Sequence, residues 1–312
     1  MGIDALSLAL FLGASLRLAA PVLLASLGEV VSERAGMFNI GLEGLMLIAA
    51  FCSVWGLGLF HSAAVGLAMG VAGGLAGGLV LALLIAVLRA DQIVVGIGFN
   101  ILALGATSWG RQTLLSDPPH GIPLRHLSVW HVPGLSRLPV LGASMFSQSP
   151  ILYAGCVIAV LVWAILRWRR LGLVLRAVGE SAAAADAAGT SVMLVRTGAL
   201  AFGGVLAGLS GVYLALVASG GTFVDNMSAG RGYLAIAVTL FGRWHPLWAL
   251  LAALLFGCVD ALQYQAQLHG LQVSSSLLLM MPFLLALIGW AALGGSSAGP
   301  GDLGRPFIRG GR

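Results

Sequence analysis

Lysine is absent from this chain of 312 residues; all sixteen basic residues are arginine. Without lysine there is no Walker A phosphate loop and no Schiff-base chemistry on a pyridoxal cofactor. If ATP is used through a P-loop, that loop belongs to another chain. Charge of either sign is scarce: charged residues are 9% of the chain, against about a quarter in a soluble domain. With a mean hydropathy of +1.00, a soluble globule is excluded, and the solvent this chain needs is a lipid bilayer. There are only three cysteines, Cys52, Cys156 and Cys258. Each lies inside an apolar run without metal-ligand spacing and reads as a small packing residue. HExxH does not occur and no serine sits in a GxSxG nucleophile elbow, so no catalytic residue and no metal site is expected. The net charge of +5 does not point to nucleic acid, because the arginines cluster in short connections between apolar runs, as in membrane proteins. The first apolar run follows Asp4 and no basic residue, unlike a secretory signal, and reads as an uncleaved span.

What is present is a series of apolar runs, each long enough for about 20 helical residues across a membrane. The runs predict spans at 6–27, 37–57, 62–88, 92–110, 150–167, 197–218, 232–242, 246–264 and 274–292. The fold class is an all-α polytopic membrane protein with about nine transmembrane helices. The seventh is too short to cross alone and is expected to be broken, with 222–231 as irregular backbone held inside protein. Residues 1–292 form one transmembrane domain, and 293–312 read as a disordered, solvated cytoplasmic tail. Arg167, Arg169, Arg170, Arg176 and Arg196 crowd the connection 168–196, which the positive-inside rule makes cytoplasmic. Alternation then places eleven arginines inside and four outside, with Arg17 in a span. It follows that the N-terminus is outside, the loop 111–149 external and the C-terminus cytoplasmic. The glycine-rich stretch 66–86 suits close helix packing in lipid rather than a dinucleotide loop, since no strand precedes it.

Three segments are more polar than a lipid anchor requires. Residues 28–44, GEVVSERAGMFNIGLEG, link the first two spans, and Asn39 and Glu43 share one helix face. They serve either as an interfacial cap or as lining of a translocation path. Residues 173–192 are helix-forming from Ser181 to Ala188, with Gly189 suited to a C-cap. This stretch is either a connector on the membrane surface or a small-residue helix that docks on a partner. Residues 219–233 precede the short seventh segment, where a helix restarts near 228–230; such breaks often face a substrate, or simply pack. His245, beside Trp244 and Pro246, reads as an interfacial residue.

At these residues the chain becomes recognisable. GEVVSERAGMFNIGLEGLMLIAAF, LRAVGESAAAADAAGTSV and GRGYLAIAVTLFGRWHPLWALLAALLFGCVDALQYQ resemble the membrane subunit of bacterial ABC importers for nucleosides and simple sugars. This is the branched-chain-amino-acid/ribose permease superfamily. More closely, the chain resembles the shorter of two permeases that work with a basic-membrane-protein-type binding lipoprotein, in the same order from about residue 6 to 292. The resemblance implies a type II importer-like fold in the plasma (inner) membrane. It implies an ABC ATPase subunit that binds ATP and Mg, a second homologous permease and an external substrate-binding lipoprotein as partners. It assigns Gly179, Glu180, Ala184, Ala185, Asp186 and Gly189 to coupling with the ATPase. By the same resemblance, Asn39, Glu43 and Asn100 are expected where the family's central cavity runs. Two other classes stay open at this stage: an ion-coupled secondary transporter, with Glu43 or Asp260 as its carboxylate, and a membrane enzyme. Trp109, Phe99 and Tyr233 are aromatic groups able to stack on a nucleobase or to anchor at an interface.

Overall fold

The computed structural model describes residues 5–115, 129–134, 136, 141–268, 275–293 and 299–308. The chain runs α1 (Ala5–Arg34), α2 (Leu42–Phe60), α3 (Ala63–Ala82), α4 (Gln92–Leu114), β1 (Trp130–His131), α5 (Leu141–Met145), β2 (Ser147–Gln148), α6 (Pro150–Trp168), α7 (Arg170–Glu180), α8 (Ala182–Ala187), α9 (Val192–Val212), α10 (Arg231–Phe241), α11 (Pro246–Leu268) and α12 (Ser275–Leu293). One π-helical turn continues α3 over Leu83–Val87, and another continues α9 over Tyr213–Ala218. The two short strands pair antiparallel.

Seven helices among the described residues are long and apolar enough to cross a membrane. Two shorter apolar stretches, Arg231–Phe241 and Met280–Gly289 within α12, correspond to the expected broken seventh segment and the last expected span. The short seventh segment is indeed broken: α9 ends at Ala218, irregular backbone follows, and α10 starts at Arg231. Other boundaries moved. Residues 28–34, expected to link two spans, continue α1 to Arg34, so the link itself is 35–41. Helix α4 runs to Leu114, into the loop expected from residue 111. His120, His126, Arg125 and Arg137 of that loop lie outside the described residues.

Glycine sets how closely the helices approach. A Cβ on Gly74 would lie 2.5 Å from the Gly204 carbonyl oxygen and from Gly208 Cα, and one on Gly78 would lie 2.8 Å from the Leu200 carbonyl oxygen. Helices α3 and α9 therefore touch backbone to backbone, the close contact that gives helix pairs in lipid their dispersion energy. Gly211 stands in the same relation to Met46 of α2, and Gly257 to Ser15 of α1. The core lies where α1, α2, α9 and α10 meet and includes Leu27, Val30, Leu45, Leu206 and Val238.

Arginines gather at one end of this bundle. Arg34, at the end of α1, shares a recess with Arg167, Arg176 and His245. Arg89 and Arg196 line a second cavity, and Arg196 donates to the Arg305 carbonyl at 2.8 Å. Arg111, a helix length away, pairs with Asp225 at 2.7 Å.

The segment 299–308, expected to belong to a disordered tail, is bonded into the protein. Asp302 N–H donates to the Gly179 carbonyl at 2.9 Å, and Gly304 N–H to the Gly36 carbonyl at 3.1 Å. The Asp302 carboxylate accepts from Ala182 N–H at 2.7 Å. Phe307 packs on Val178, Ala182, Ala185 and Val192. The composition of the tail suggested solvation, but it carries one carboxylate and one aromatic ring that match donors and an apolar patch elsewhere in the fold.

Candidate translocation site

The start of α2 and the start of α10 meet inside the bundle, and each leaves free backbone N–H groups that need acceptors. Glu43, in the first turn of α2, supplies them for α10. Its Oε1 accepts from the Ser228 hydroxyl and from Gly230 N–H at 2.8 Å, and its Oε2 accepts from Gly232 N–H at 2.7 Å. A carboxylate at a helix N-terminus gains from the charge-assisted bonds and from the helix dipole. The local sequence is built for this approach. Gly230 has φ +81°, which favours glycine, and a Cβ on Gly232 would lie 2.6 Å from Glu43 N.

Asn100 of α4 serves α2 in the same way. Its Oδ1 accepts from Gly44 N–H at 2.8 Å, while its Nδ2 donates to the Ile40 carbonyl at 2.9 Å and the Tyr233 hydroxyl at 3.0 Å. Asn39 turns the link: its Oδ1 accepts from Gly41 N–H at 3.1 Å, and its own N–H donates to Glu29 Oε1 at 2.9 Å. Gln92 also holds the link, its Oε1 accepting from Phe38 N–H at 2.6 Å.

The structure thus brings Asn39, Glu43 and Asn100 together around the start of α2. It also shows each with a structural task. They are 0%, 6% and 7% exposed, whereas Tyr233, bonded to Asn100, is 44% exposed. The exposed side chain of this cluster is therefore Tyr233. Sequence reasoning noted Tyr233 only as an aromatic. Its partnership with Asn100 spans 133 positions and has no local signal.

Two further carboxylates, Glu29 and Glu33, lie one turn apart on α1 and are fully buried. Glu33 Oε2 accepts from the Trp244 indole N–H. Glu29 Oε2 and Glu33 Oε1 have no partner, and neither does Asn39 Nδ2. A single proton held between the two carboxyl oxygens would give both a hydrogen bond.

The segment that the resemblance assigns to coupling forms two helices, α7 and α8, joined at Ser181. Ser181 caps α8 by accepting from Ala184 N–H at 3.3 Å, and Gly189, at φ +85°, closes its C-terminus. Gly179 is buried, because a Cβ there would lie 2.2 Å from the Arg34 carbonyl oxygen. Glu180 is exposed and accepts from Gly301 N–H at 3.3 Å. Ala183, Ala184, Ala187, Ala188 and Gly189 form an exposed small-residue face, with Asp186 partly buried beside it. Ala185 does not share that face: it is 5% exposed and lies under Phe307.

Apolar membrane-length helices packed round a broken helix with a polar junction define a multi-pass membrane protein built around a discontinuous core. The chain belongs to the family described as the permease component of branched-chain amino acid transport systems, which it matches over residues 11–287. It is similar to the guanosine ABC transporter permease protein NupQ of Bacillus subtilis, with 35% identity covering 98% of each chain. The nucleoside ABC transporter permease protein NupC of Lactococcus lactis is 34% identical, over 93% of each chain. The putative glucose ABC transporter permease protein TsgC13 of Haloferax volcanii is 34% identical, over 82% of this chain and 77% of the relative. No solved structure gives a significant match. The chain is accordingly a permease subunit of an ABC importer, and an ion-coupled secondary transporter is not favoured.

Proposed function

We propose that this permease carries nucleosides, as one of two homologous membrane subunits in an importer of the type II architecture. The observation that carries this reading is the near full-length likeness to permeases named for guanosine and nucleosides. The exposed Tyr233 ring supports it, because an aromatic face at the broken helix suits stacking on a nucleobase. Glu43, Asn39 and Asn100 stand behind that wall and hold its shape. A separate ATPase subunit binds ATP and Mg, and an external lipoprotein delivers the solute. The ATPase docks on the exposed face of α8, and its closure switches the cavity from one side of the membrane to the other. The arginine-rich end, with 168–196 and the C-terminus, is cytoplasmic.

A glucose permease is nearly as similar as the nucleoside ones, so the solute class needs its own test. Cells without other nucleoside uptake, expressing the whole importer, should accumulate labelled guanosine. Excess unlabelled adenosine or uridine should compete and excess glucose should not. Uptake of glucose, with no competition from nucleosides, would overturn the nucleoside assignment while leaving the permease class in place.

A further inference from the structure

At the arginine-rich end two openings share a wall. One is an apolar groove of about 430 Å³ between α1, α6, α7 and α9, lined by Ile165, Leu171, Leu175, Leu194, Gly198 and Phe202 among others. The second is a recess of about 90 Å³ lined by Arg34, Arg167, Arg176, Trp244 and His245. Leu166 belongs to both.

The two halves differ in chemistry. No carboxylate among the described residues forms an ion pair with Arg34, Arg167 or Arg176. Arg34 gives its Nε–H to the Trp244 carbonyl at 3.0 Å, and Arg176 gives its Nε–H to the Gly172 carbonyl at 3.3 Å. Both bonds leave the net charge unneutralised. Glu180 is the acidic group whose charge Arg34 feels, but its carboxylate is turned to Gly301 N–H. His245 Nδ1 is buried without a partner. Burial, and after it the Arg34 charge, pushes the His245 imidazole below its ordinary range. Beside this recess Trp168, which packs on Trp163 of its wall, and Leu171 of the groove are each 69% exposed.

We propose that groove and recess together bind an anionic phospholipid of the adjacent leaflet, with an acyl chain along the groove and the phosphate among Arg34, Arg167 and Arg176. The charge selects this occupant. A neighbouring apolar helix would fill the groove and leave three guanidinium groups unmatched, and a zwitterionic lipid would bring a second cation to a site already positive. The inference rests on the membrane reading alone and not on the solute or on the coupling role of α8.

The test uses the full-length protein, purified in mild detergent and offered equal phosphatidylglycerol and phosphatidylcholine of matched chains. Bound lipid is weighed by native mass spectrometry. Phosphatidylglycerol should be retained about fivefold or more over phosphatidylcholine, and Arg167→Gln with Arg176→Gln should bring the two lipids level. Arg176→Lys keeps the charge and should keep the preference. Gly198→Leu should fold, because a Cβ there meets nothing within 4 Å and the rest of the side chain extends into the groove, where it should lower retention of phosphatidylglycerol with the arginines intact. Equal retention of both lipids by the unaltered protein, or a preference that survives loss of both arginines, would overturn the site. An unchanged preference in Gly198→Leu would overturn the acyl-chain groove. Disulfide capture of a second permease subunit through Leu194→Cys in the assembled transporter would overturn the lipid as occupant.

Discussion

At the scale of single residues, Glu43 joins two helix starts that are far apart in sequence. Glu43→Gln would set an amide NH₂ against one of the Gly230 or Gly232 N–H donors, leaving a buried clash of donors. The expected loss is about 1–3 kcal/mol, seen as a lower melting midpoint in detergent, and an unchanged midpoint would show that the carboxylate does not hold α10. Asn100→Ala removes three hydrogen bonds at once, so folded protein and uptake should fall together. Tyr233→Phe is the sharper probe of the path. It keeps the ring and removes only the hydroxyl, so the folded yield should hold while uptake per folded molecule changes. Uptake that matches the unaltered protein would take the Tyr233 hydroxyl out of the solute path. The polarity of Asn39 and Glu43 in apolar surroundings marked them in the sequence, and the family resemblance added Asn100. Their bonding did not, since Glu43 meets its α10 donors across 185–189 positions.

At the scale of elements, α8 and the segment 299–308 act as one unit. Ala184→Trp places a large ring on the exposed face of α8. The protein should still insert, while co-purification of the ATPase subunit and stimulated ATP hydrolysis are lost. Ala185→Trp is expected to behave differently, because Ala185 is buried under Phe307: folded yield should drop before coupling can be measured. Full ATP-driven uptake with Trp at 184 would remove the docking role from α8. Asp302→Ala frees the Ala182 N–H at the start of α8. It should weaken ATPase co-purification without altering insertion, which a pull-down in detergent reads directly. Helix α8 was legible in the sequence from its alanines, Ser181 and Gly189, since caps and propensity are local. The role of 299–308 was not, because a short Gly- and Pro-containing segment orders only through contacts with residues more than 100 positions away.

At the scale of the molecule, hydropathy located the apolar helices well, and arginine placement foresaw the end at which Arg34, Arg89, Arg167, Arg176 and Arg196 gather. Hydropathy does not by itself separate a crossing from an entry, since a short apolar run such as 231–241 looks the same whether it spans or only enters the bundle. The orientation can be checked in a background without Cys52, Cys156 and Cys258. A cysteine at Ser128 should react with an impermeant maleimide in intact cells, and one at Ala188 only after permeabilisation; the reverse pattern would invert the topology. The central claim, that this permease works in an ATP-driven importer, is tested most directly by uptake in proteoliposomes holding the complete complex. With ATP supplied on the nucleotide-binding side and ionophores collapsing every ion gradient, solute should still accumulate, and a non-hydrolysable ATP analogue should stop it. Accumulation that follows an imposed proton or sodium gradient without ATP would contradict the account.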